Sequence, residues 1–162
     1  MEQPPIRYIE RITAQYEALG YGGYNWLHSE TPSAVAPLTK PLSESRLGLV
    51  ATGGVYQVGM TGFTHKDDTT YRAINATVDA DQLRATHFAY DLTDARTDIN
   101  VVFPIDTLRA MVDEGTIGEL APHLFTCMGG IYSQRRVREE LAPAIVERAK
   151  ADEIDVMLLV PV

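Results

Sequence analysis

The clearest pattern in the sequence is a set of three short apolar segments, each of which predicts a buried β-strand. These segments are residues 46–52, 123–128 and 154–160. A nearly continuous apolar run is typical of a parallel strand that is covered on both faces. The helical pattern in front of the last segment suits a right-handed crossover between parallel strands. We therefore expect these three strands to lie in one sheet.

Three helices are predicted from apolar residues that recur every three or four positions. The first helix has one apolar face, formed by Ile9, Ile12, Tyr16 and Leu19. The second helix begins at Asp106, a suitable N-cap residue, and stops at Gly115. The third begins at Ser133 and runs to about residue 151, with a kink or a break expected at Pro143.

The remaining segments are less regular. They predict short strands at residues 71–76, 84–90 and 99–103, and long surface loops at residues 21–41 and 57–69. We expect one α/β domain over residues 1–162, in which an N-terminal helix and loop (1–45) precede the sheet-forming part (46–162). The predicted fold is a three-layer, mostly parallel sheet with flanking helices, of the flavodoxin or Rossmann type.

Charge and composition narrow the class of protein. The formal charge of −8 argues against general binding of nucleic acids or anionic membranes, because phosphates would be repelled. No apolar run approaches the roughly 20 residues of a membrane helix, and the polar start is unlike a signal peptide. The single cysteine, Cys127, excludes an intramolecular disulfide and suits a reducing compartment. We therefore expect a cytoplasmic protein.

Two of the predicted strands end in a pair of glycines, Gly53-Gly54 and Gly129-Gly130. Such turns can present backbone N–H groups to an anion. Neither pair has the spacing of a dinucleotide-binding or P-loop motif. A tight turn without any ligand is the other interpretation, and both stay open.

The densest polar stretch of the chain supplies the main candidates for a site. Its members are His87, Tyr90, Asp91, Asp98 and Asn100. A histidine and an aspartate four positions apart can share a proton or bind a cation. The alternative is a solvated loop whose Asp and Asn side chains bond the backbone.

Neither a metal site nor a cysteine nucleophile is expected from the other residues. The four histidines show none of the spacings typical of metal ligands. Cys127 lies within an apolar strand, where a free cysteine usually packs as a small hydrophobic residue.

Nine segments, in one order along nearly the whole chain, carry a resemblance to a known family. They are IRYIER (6–11), ALGY (18–21), YNW (24–26), KPLSESRLGLV (40–50), THFAYD (86–91), DINVVFPID (98–106), LR (108–109), MG (128–129) and DVMLLVPV (155–162). Together they resemble the glycine/sarcosine/betaine/D-proline reductase selenoprotein B family, and the stretch 98–106 is the most specific of them.

The resemblance gives the C-terminal strand a particular meaning. In that family a strand ending in Leu-Val-Pro is followed at once by selenocysteine or cysteine, then proline, one further residue and a cysteine. The resemblance implies a catalytic nucleophile immediately after Val162, and therefore none within this sequence. It also implies about one further βα portion, so the sheet is expected to be incomplete at the C-terminus. Because UGA encodes selenocysteine and is otherwise a stop codon, we expect UGA at codon 163.

The resemblance also implies a reaction. The selenolate attacks a carbon that bears a nitrogen leaving group, in a small amine or amino acid, and a nearby cysteine resolves the adduct. This chain binds no cofactor directly; a pyruvoyl group on a companion subunit activates the substrate, and a dithiol donates electrons. By resemblance, His87, Asp91, Asp98 and Asn100 are expected to line that site as proton donor and positioning groups. The complete set of pocket candidates also includes Tyr90, Gly53, Gly54, Met128 and Gly129.

Two other functions stay open. One is a non-catalytic small-molecule-binding or assembly subunit that ends at Val162. The other, weaker one is a hydrolase or lyase built on His87 and Asp91. For a sheet that lacks its last strand we also expect an open edge, which favours association.

Overall fold

The computed structural model describes residues 6–23 and 27–162. The chain divides into two compact units, Met1–Ala36 and Pro37–Val162. In the first unit, α1 (Tyr8–Ala18) confirms the first predicted helix, which ends before Gly20 with its φ of 80°. The YNW segment at 24–26 lies outside the described residues. The expected single domain over residues 1–162 stays a prediction.

The second unit contains all the strands that the structure describes. They are β1 (Arg46–Ala51), β2 (Val55–Gln57), β3 (Tyr71–Asn75), β4 (Leu83–Ala85), β5 (Glu119–Leu120), β6 (His123–Cys127) and β7 (Val156–Val160). The α-helices of this unit are α2 (Thr93–Thr97), α3 (Ile105–Asp113), α4 (Gln134–Arg136) and α5 (Ala142–Ala151). Short 3-10 turns are formed by Leu42–Glu44, Ala80–Gln82 and Ile99–Val101.

Strand β1 lies at the centre of a five-stranded sheet. On one side it pairs in parallel with β7, from Leu47 opposite Val156 to Ala51 opposite Val160. On its other side it pairs in parallel first with β5 and then with β6. The predicted parallel arrangement of the three apolar strands is therefore confirmed.

The sheet as a whole is mixed. Strand β3 runs antiparallel to β6, and β2 and β4 form a separate antiparallel pair. The prediction of an α/β fold with flanking helices is confirmed. These strand pairings do not establish the expected mostly parallel order of the flavodoxin or Rossmann type.

Both faces of the central strands are covered, as their apolar runs predict. Side chains alternate between the faces of a strand. Leu49 and Leu158 belong to the larger apolar cluster, which includes Leu108 of α3. Their neighbours Val50 and Met157 belong to a second cluster, which α5 and the segment before it complete. The sheet therefore lies between two layers of helix and loop.

The strand predicted at 99–103 is wrong and the one predicted at 84–90 is too long, because nearby side chains form hydrogen bonds with the backbone at both places. The strand expected at 84–90 ends with β4, since the Nδ1 atom of His87 accepts the Ala89 N–H at 3.1 Å and turns the chain. At 99–103 the Asp98 carboxylate accepts the Asn100 N–H at 2.9 Å and closes a 3-10 turn. Such local bonds compete directly with strand pairing.

The predicted helices are present, with changes at their ends. Helix α3 follows Pro104 rather than beginning at Asp106. Ser133 accepts the Arg136 N–H at 3.4 Å and caps α4 as predicted. The interruption expected at Pro143 takes the form of a π-helical segment, Val137–Leu141, between α4 and α5. A wider turn accommodates a backbone that lacks one N–H donor.

Strand β7 lies at the edge of the described sheet. Among residues 6–23 and 27–162 it pairs with β1 alone, and its Leu159 side chain is 67% exposed. The association expected of such an edge stays a prediction. Within the same residues, no helix is both long and apolar enough to cross a bilayer.

Gly54 is required by the turn that follows β1. Its φ is 61°, and a Cβ atom there would overlap the carbonyl oxygen of Thr86. We expect Gly54→Ala to lower the free energy of unfolding by about 3 kcal/mol, from backbone strain and overpacking together. Gly59→Ala is the control, because Gly59 has a φ of 94° but open space around its Cα. Urea denaturation measures both; equal losses would contradict the steric explanation.

Cys127 is buried in the sheet and is the only cysteine of the chain. Burial raises the pKa of its thiol to about 11, so almost no thiolate exists at neutral pH. We expect iodoacetamide to leave the native chain unlabelled during a period in which free cysteine reacts completely. Labelling in denaturant is the control. Native labelling at the rate of free cysteine would show that Cys127 is accessible and ionised.

Candidate functional site

The carboxyl ends of β1, β6 and β7 meet at one edge of the sheet. In α/β sheets such an edge is the usual place for a ligand. The chain after β7 is held there by β1: the Val162 N–H donates to Thr52 Oγ1 at 2.8 Å, and the Thr52 N–H donates to the Val160 carbonyl at 3.0 Å. The backbone of Val162 is therefore fixed beside the end of the central strand.

Gly129 leaves space at this meeting point. A Cβ atom on Gly129 would lie 3.0 Å from the Val162 carbonyl oxygen, 3.0 Å from His87 Nε2 and 3.1 Å from the Thr52 carbonyl oxygen. Any other residue would push against all three groups. The second glycine pair thus allows three distant parts of the chain to approach one another.

His87 is the predicted candidate that reaches this point. Its Nδ1 atom accepts the Ala89 N–H, whereas its Nε2 atom is buried and has no hydrogen-bond partner within the described part of the chain. Burial lowers the pKa of His87, and the nearby His65 ring lowers it further. The imidazole ring is therefore neutral at pH 7, with an unused polar atom directed toward Gly129.

Two aromatic rings pack against His87, and two further rings pack against one of these. The Phe88 ring stacks parallel to the His87 ring, with 5.6 Å between centroids, and Tyr90 contacts the His87 ring edge-on at 6.3 Å. His65 and Tyr132 lie against Phe88, at 6.2 and 6.4 Å. We call His65, Phe88, Tyr90 and Tyr132 the aromatic rim.

The aromatic rim is held by a loop that sequence reasoning did not assign to the site. Asp67 Oδ1 accepts the backbone N–H groups of Tyr132 at 2.7 Å and Ser133 at 3.1 Å. His65 Nε2 lies 3.2 Å from the hydroxyl group of Thr86. The loop between β2 and β3 is thereby tied to the segments that follow β4 and β6. In the sequence, the feature that could have indicated this loop is the polar run His65-Lys66-Asp67-Asp68 between apolar strands.

Asp91 does not form the expected pair with His87. Its carboxylate accepts the Thr93 N–H at 3.0 Å and the Thr93 hydroxyl at 2.7 Å, and these bonds lower its pKa. No hydrogen bond joins Asp91 to His87 among the described residues. Asp91 therefore agrees with the alternative interpretation, a solvated loop whose Asp and Asn side chains bond the backbone.

Asp98 and Asn100 belong to a separate hydrogen-bond network. Asn100 Oδ1 accepts the Asp106 N–H at 2.9 Å in the first turn of α3, and Asp106 in turn pairs with Arg109 at 2.9 Å. Asp98 and Asn100 also border a cavity whose lining does not include His87. The stretch 98–106, the most specific part of the resemblance, thus supplies a hydrogen-bond acceptor for the first turn of α3.

The first glycine pair is a tight turn. The Gly54 N–H donates to the Cys127 carbonyl at 3.0 Å, and the Val55 N–H donates to Thr126 Oγ1 at 2.9 Å. A Cβ atom on Gly53 would press on Val102 at 3.1 Å. Because the N–H groups of Gly54 and Val55 already have acceptors, these two groups are not available to an anion.

Two further findings limit what the site can hold. Met128 is 1% exposed and packs beneath the site as a core residue. In the part of the chain that the structure describes, no three His, Cys, Asp or Glu side chains are grouped so as to hold a metal ion. The candidate site comprises Thr52, Gly129, Val162 and His87 within the aromatic rim.

Comparison with known proteins assigns this chain to a family. Residues 27–161 match the sequence profile of the family described as glycine/sarcosine/betaine reductase selenoprotein B. No solved structure matches the chain.

Individual relatives agree with the profile. The chain is 34% identical over 128 residues to the D-proline reductase subunit gamma of Acetoanaerobium sticklandii, an alignment that covers 79% of this chain and 53% of that protein. It is 30% identical to the glycine reductase complex component B subunit gamma of Symbiobacterium thermophilum, covering 76% of this chain and 30% of the relative. It is 25% identical to the betaine reductase complex component B subunit beta of Peptoclostridium acidaminophilum, in an alignment that covers 81% of this chain and 31% of that protein.

The chain spans 53% of the length of the first relative and 30% and 31% of the other two. The profile nevertheless covers most of this chain. On these grounds the chain belongs to the glycine/sarcosine/betaine reductase selenoprotein B family.

Proposed function

We propose that this chain is part of a selenol- or thiol-dependent reductase subunit that reductively cleaves a C–N bond of a small amine or amino acid. One observation carries the proposal. In a member of the selenoprotein B family, the end of β7 is fixed at Val162 beside the unpartnered Nε2 atom of His87. A residue that follows Val162 in the full-length protein would enter this site directly.

The nucleophile in this proposal is a selenocysteine or cysteine that immediately follows Val162. A selenol titrates well below the roughly 8.5 of a free thiol, so it is ionised at neutral pH. Cys127 cannot replace it, because burial raises the pKa of its thiol to about 11. The aromatic rim would shield the reacting atoms from water.

The proposed reaction is balanced by a dithiol. The chalcogenolate attacks the carbon that bears nitrogen, the C–N bond breaks, and the amine leaves with a proton. A second thiolate then attacks the chalcogen, the carbon takes up a proton, and a Se–S or S–S bond forms. The dithiol reduces that bond and supplies the two electrons.

Companion subunits belong to the proposal because relatives are named as subunits or components of reductase complexes. A pyruvoyl group on such a subunit would activate the amine. This chain would bind no cofactor itself; it would position the nucleophile and the groups around it.

The first test identifies the nucleophile in the full-length protein. The gene is sequenced beyond codon 162 and expressed with cysteine at position 163 and with Cys127→Ala. We expect a UGA or cysteine codon there, and iodoacetamide labelling of position 163 at neutral pH, mapped by mass spectrometry. A true stop codon, or a residue without a chalcogen, would contradict the proposal and favour a non-catalytic binding or assembly subunit.

The second test concerns the anchor of Val162. Thr52→Val removes the hydroxyl acceptor of the Val162 N–H with little change in volume. We expect turnover of the reconstituted reductase complex to fall about fivefold, because a loss of about 1 kcal/mol in positioning changes a rate by that factor. Thr97→Val on α2 is the control, since that hydroxyl bonds only the Thr93 carbonyl. Equal activity of the two variants would show that the anchor does not matter.

A further inference from the structure

We propose that His87 is a catalytic residue: its Nε2–H donates a hydrogen bond to the chalcogen anion of the residue that follows Val162. The inference rests on the proposed function and adds a specific partner for the nucleophile. It is carried by the tautomer of His87, by its unpartnered atom and by the position of Gly129.

The tautomer follows from the backbone. His87 Nδ1 accepts the Ala89 N–H at 3.1 Å, so its lone pair is occupied and carries no proton. A neutral imidazole has one N–H group, which must then be at Nε2. His87 therefore offers a hydrogen-bond donor, and not an acceptor, to the meeting point of the strands.

That donor lacks an acceptor within the described residues. Nε2 is buried and forms no hydrogen bond there. Buried donors are almost always paired in native proteins, and an exception calls for an explanation. A ligand or a neighbouring residue that supplies an acceptor at this point would remove the cost of leaving the N–H group unpaired.

The position of the donor singles out the residue after Val162. A Cβ atom built on Gly129 would lie 3.0 Å from both His87 Nε2 and the Val162 carbonyl oxygen. The next Cα atom of the chain would lie about 3.8 Å from the Cα of Val162. His87 Nε2 and the Val162 carbonyl oxygen are therefore no more than about 6 Å apart, a gap that a side chain on the next residue can span.

A neutral donor has a different role from a general acid. Protonation of Nδ1 would cost the bond from Ala89, and burial together with His65 also opposes a charged ring. His87 would therefore not deliver a proton to the leaving amine. It would stabilise the anion by a charge-assisted hydrogen bond and lower the pKa of the nucleophile. The parallel ring of Phe88 keeps the imidazole in that orientation.

The experiment measures the pKa of the nucleophile in the full-length protein with cysteine at position 163 and with Cys127→Ala. The rate of iodoacetamide labelling at that position is followed against pH. We expect His87→Phe, which keeps a ring but removes the donor, to raise the thiol pKa by about one unit, a tenfold loss of thiolate below that pKa. We expect His87→Gln, which restores an N–H donor, to recover most of the loss.

His123→Phe is the matched control, because His123 lies at the opposite end of β6 and contacts Asp152. It should leave the thiol pKa unchanged. An unchanged pKa in His87→Phe would overturn the inference while leaving a reactive residue at position 163, and with it the proposed function. Absence of any chalcogen residue after Val162 would overturn both.

A second measurement uses the 162-residue chain and does not require a variant to fold. Nitrogen-15 NMR of His87 should show the Nε2–H tautomer and a midpoint below the ordinary value of about 6.5. Because the unfolded chain binds more protons in that range, stability should fall as the pH drops from about 6.5 toward the folded-state pKa. A protonated Nδ1 in the neutral ring would overturn the inference.

Discussion

The parallel pairing of β1 with β6 on one side and β7 on the other is the constraint on which the rest of the structure depends. It brings the carboxyl ends of all three strands to one edge, where Thr52, Gly129 and Val162 meet. A one-residue slip in register would turn the side chains of a strand to the opposite face. The close packing of each face of β1 against its own cluster opposes such a slip, because side chains of different size would have to exchange places. The geometry of the site is thus a consequence of core packing.

The polar residues predicted for the site differ in how they use their hydrogen-bonding atoms. Asp91 bonds Thr93, and Asn100 caps α3. His87 uses one ring nitrogen for a backbone N–H and leaves the other buried without a partner within the described residues. Buried polar atoms are normally hydrogen-bonded, and an exception to this rule is often found at a functional site. Membership in the selenoprotein B family gives this exception a chemical context.

Much of the fold was predictable because its signals are local. Apolar runs identified β1, β6 and β7, and the recurrence of apolar residues identified the helices. Of the predicted site residues, His87 lies near these strand ends, and its role in a site stays a prediction. The strand expected at 99–103 was wrong, since the carboxylate of Asp98 closes a turn there. Asp and Asn residues serve caps and ligand sites with the same hydrogen bonds, so sequence alone cannot separate the two uses.

The sequence by itself determined the three long apolar strands, the positions of the longer helices and the resemblance to the family, because these signals are local. Only the tertiary structure decided which polar residues share a site. It excluded Asp91 from a pair with His87, and it added Thr52 and His65. It also showed that a side chain at position 129 would crowd three groups at the strand ends. These facts depend on contacts between residues distant in sequence, and such contacts are set by strand register and close packing, which have no local signature.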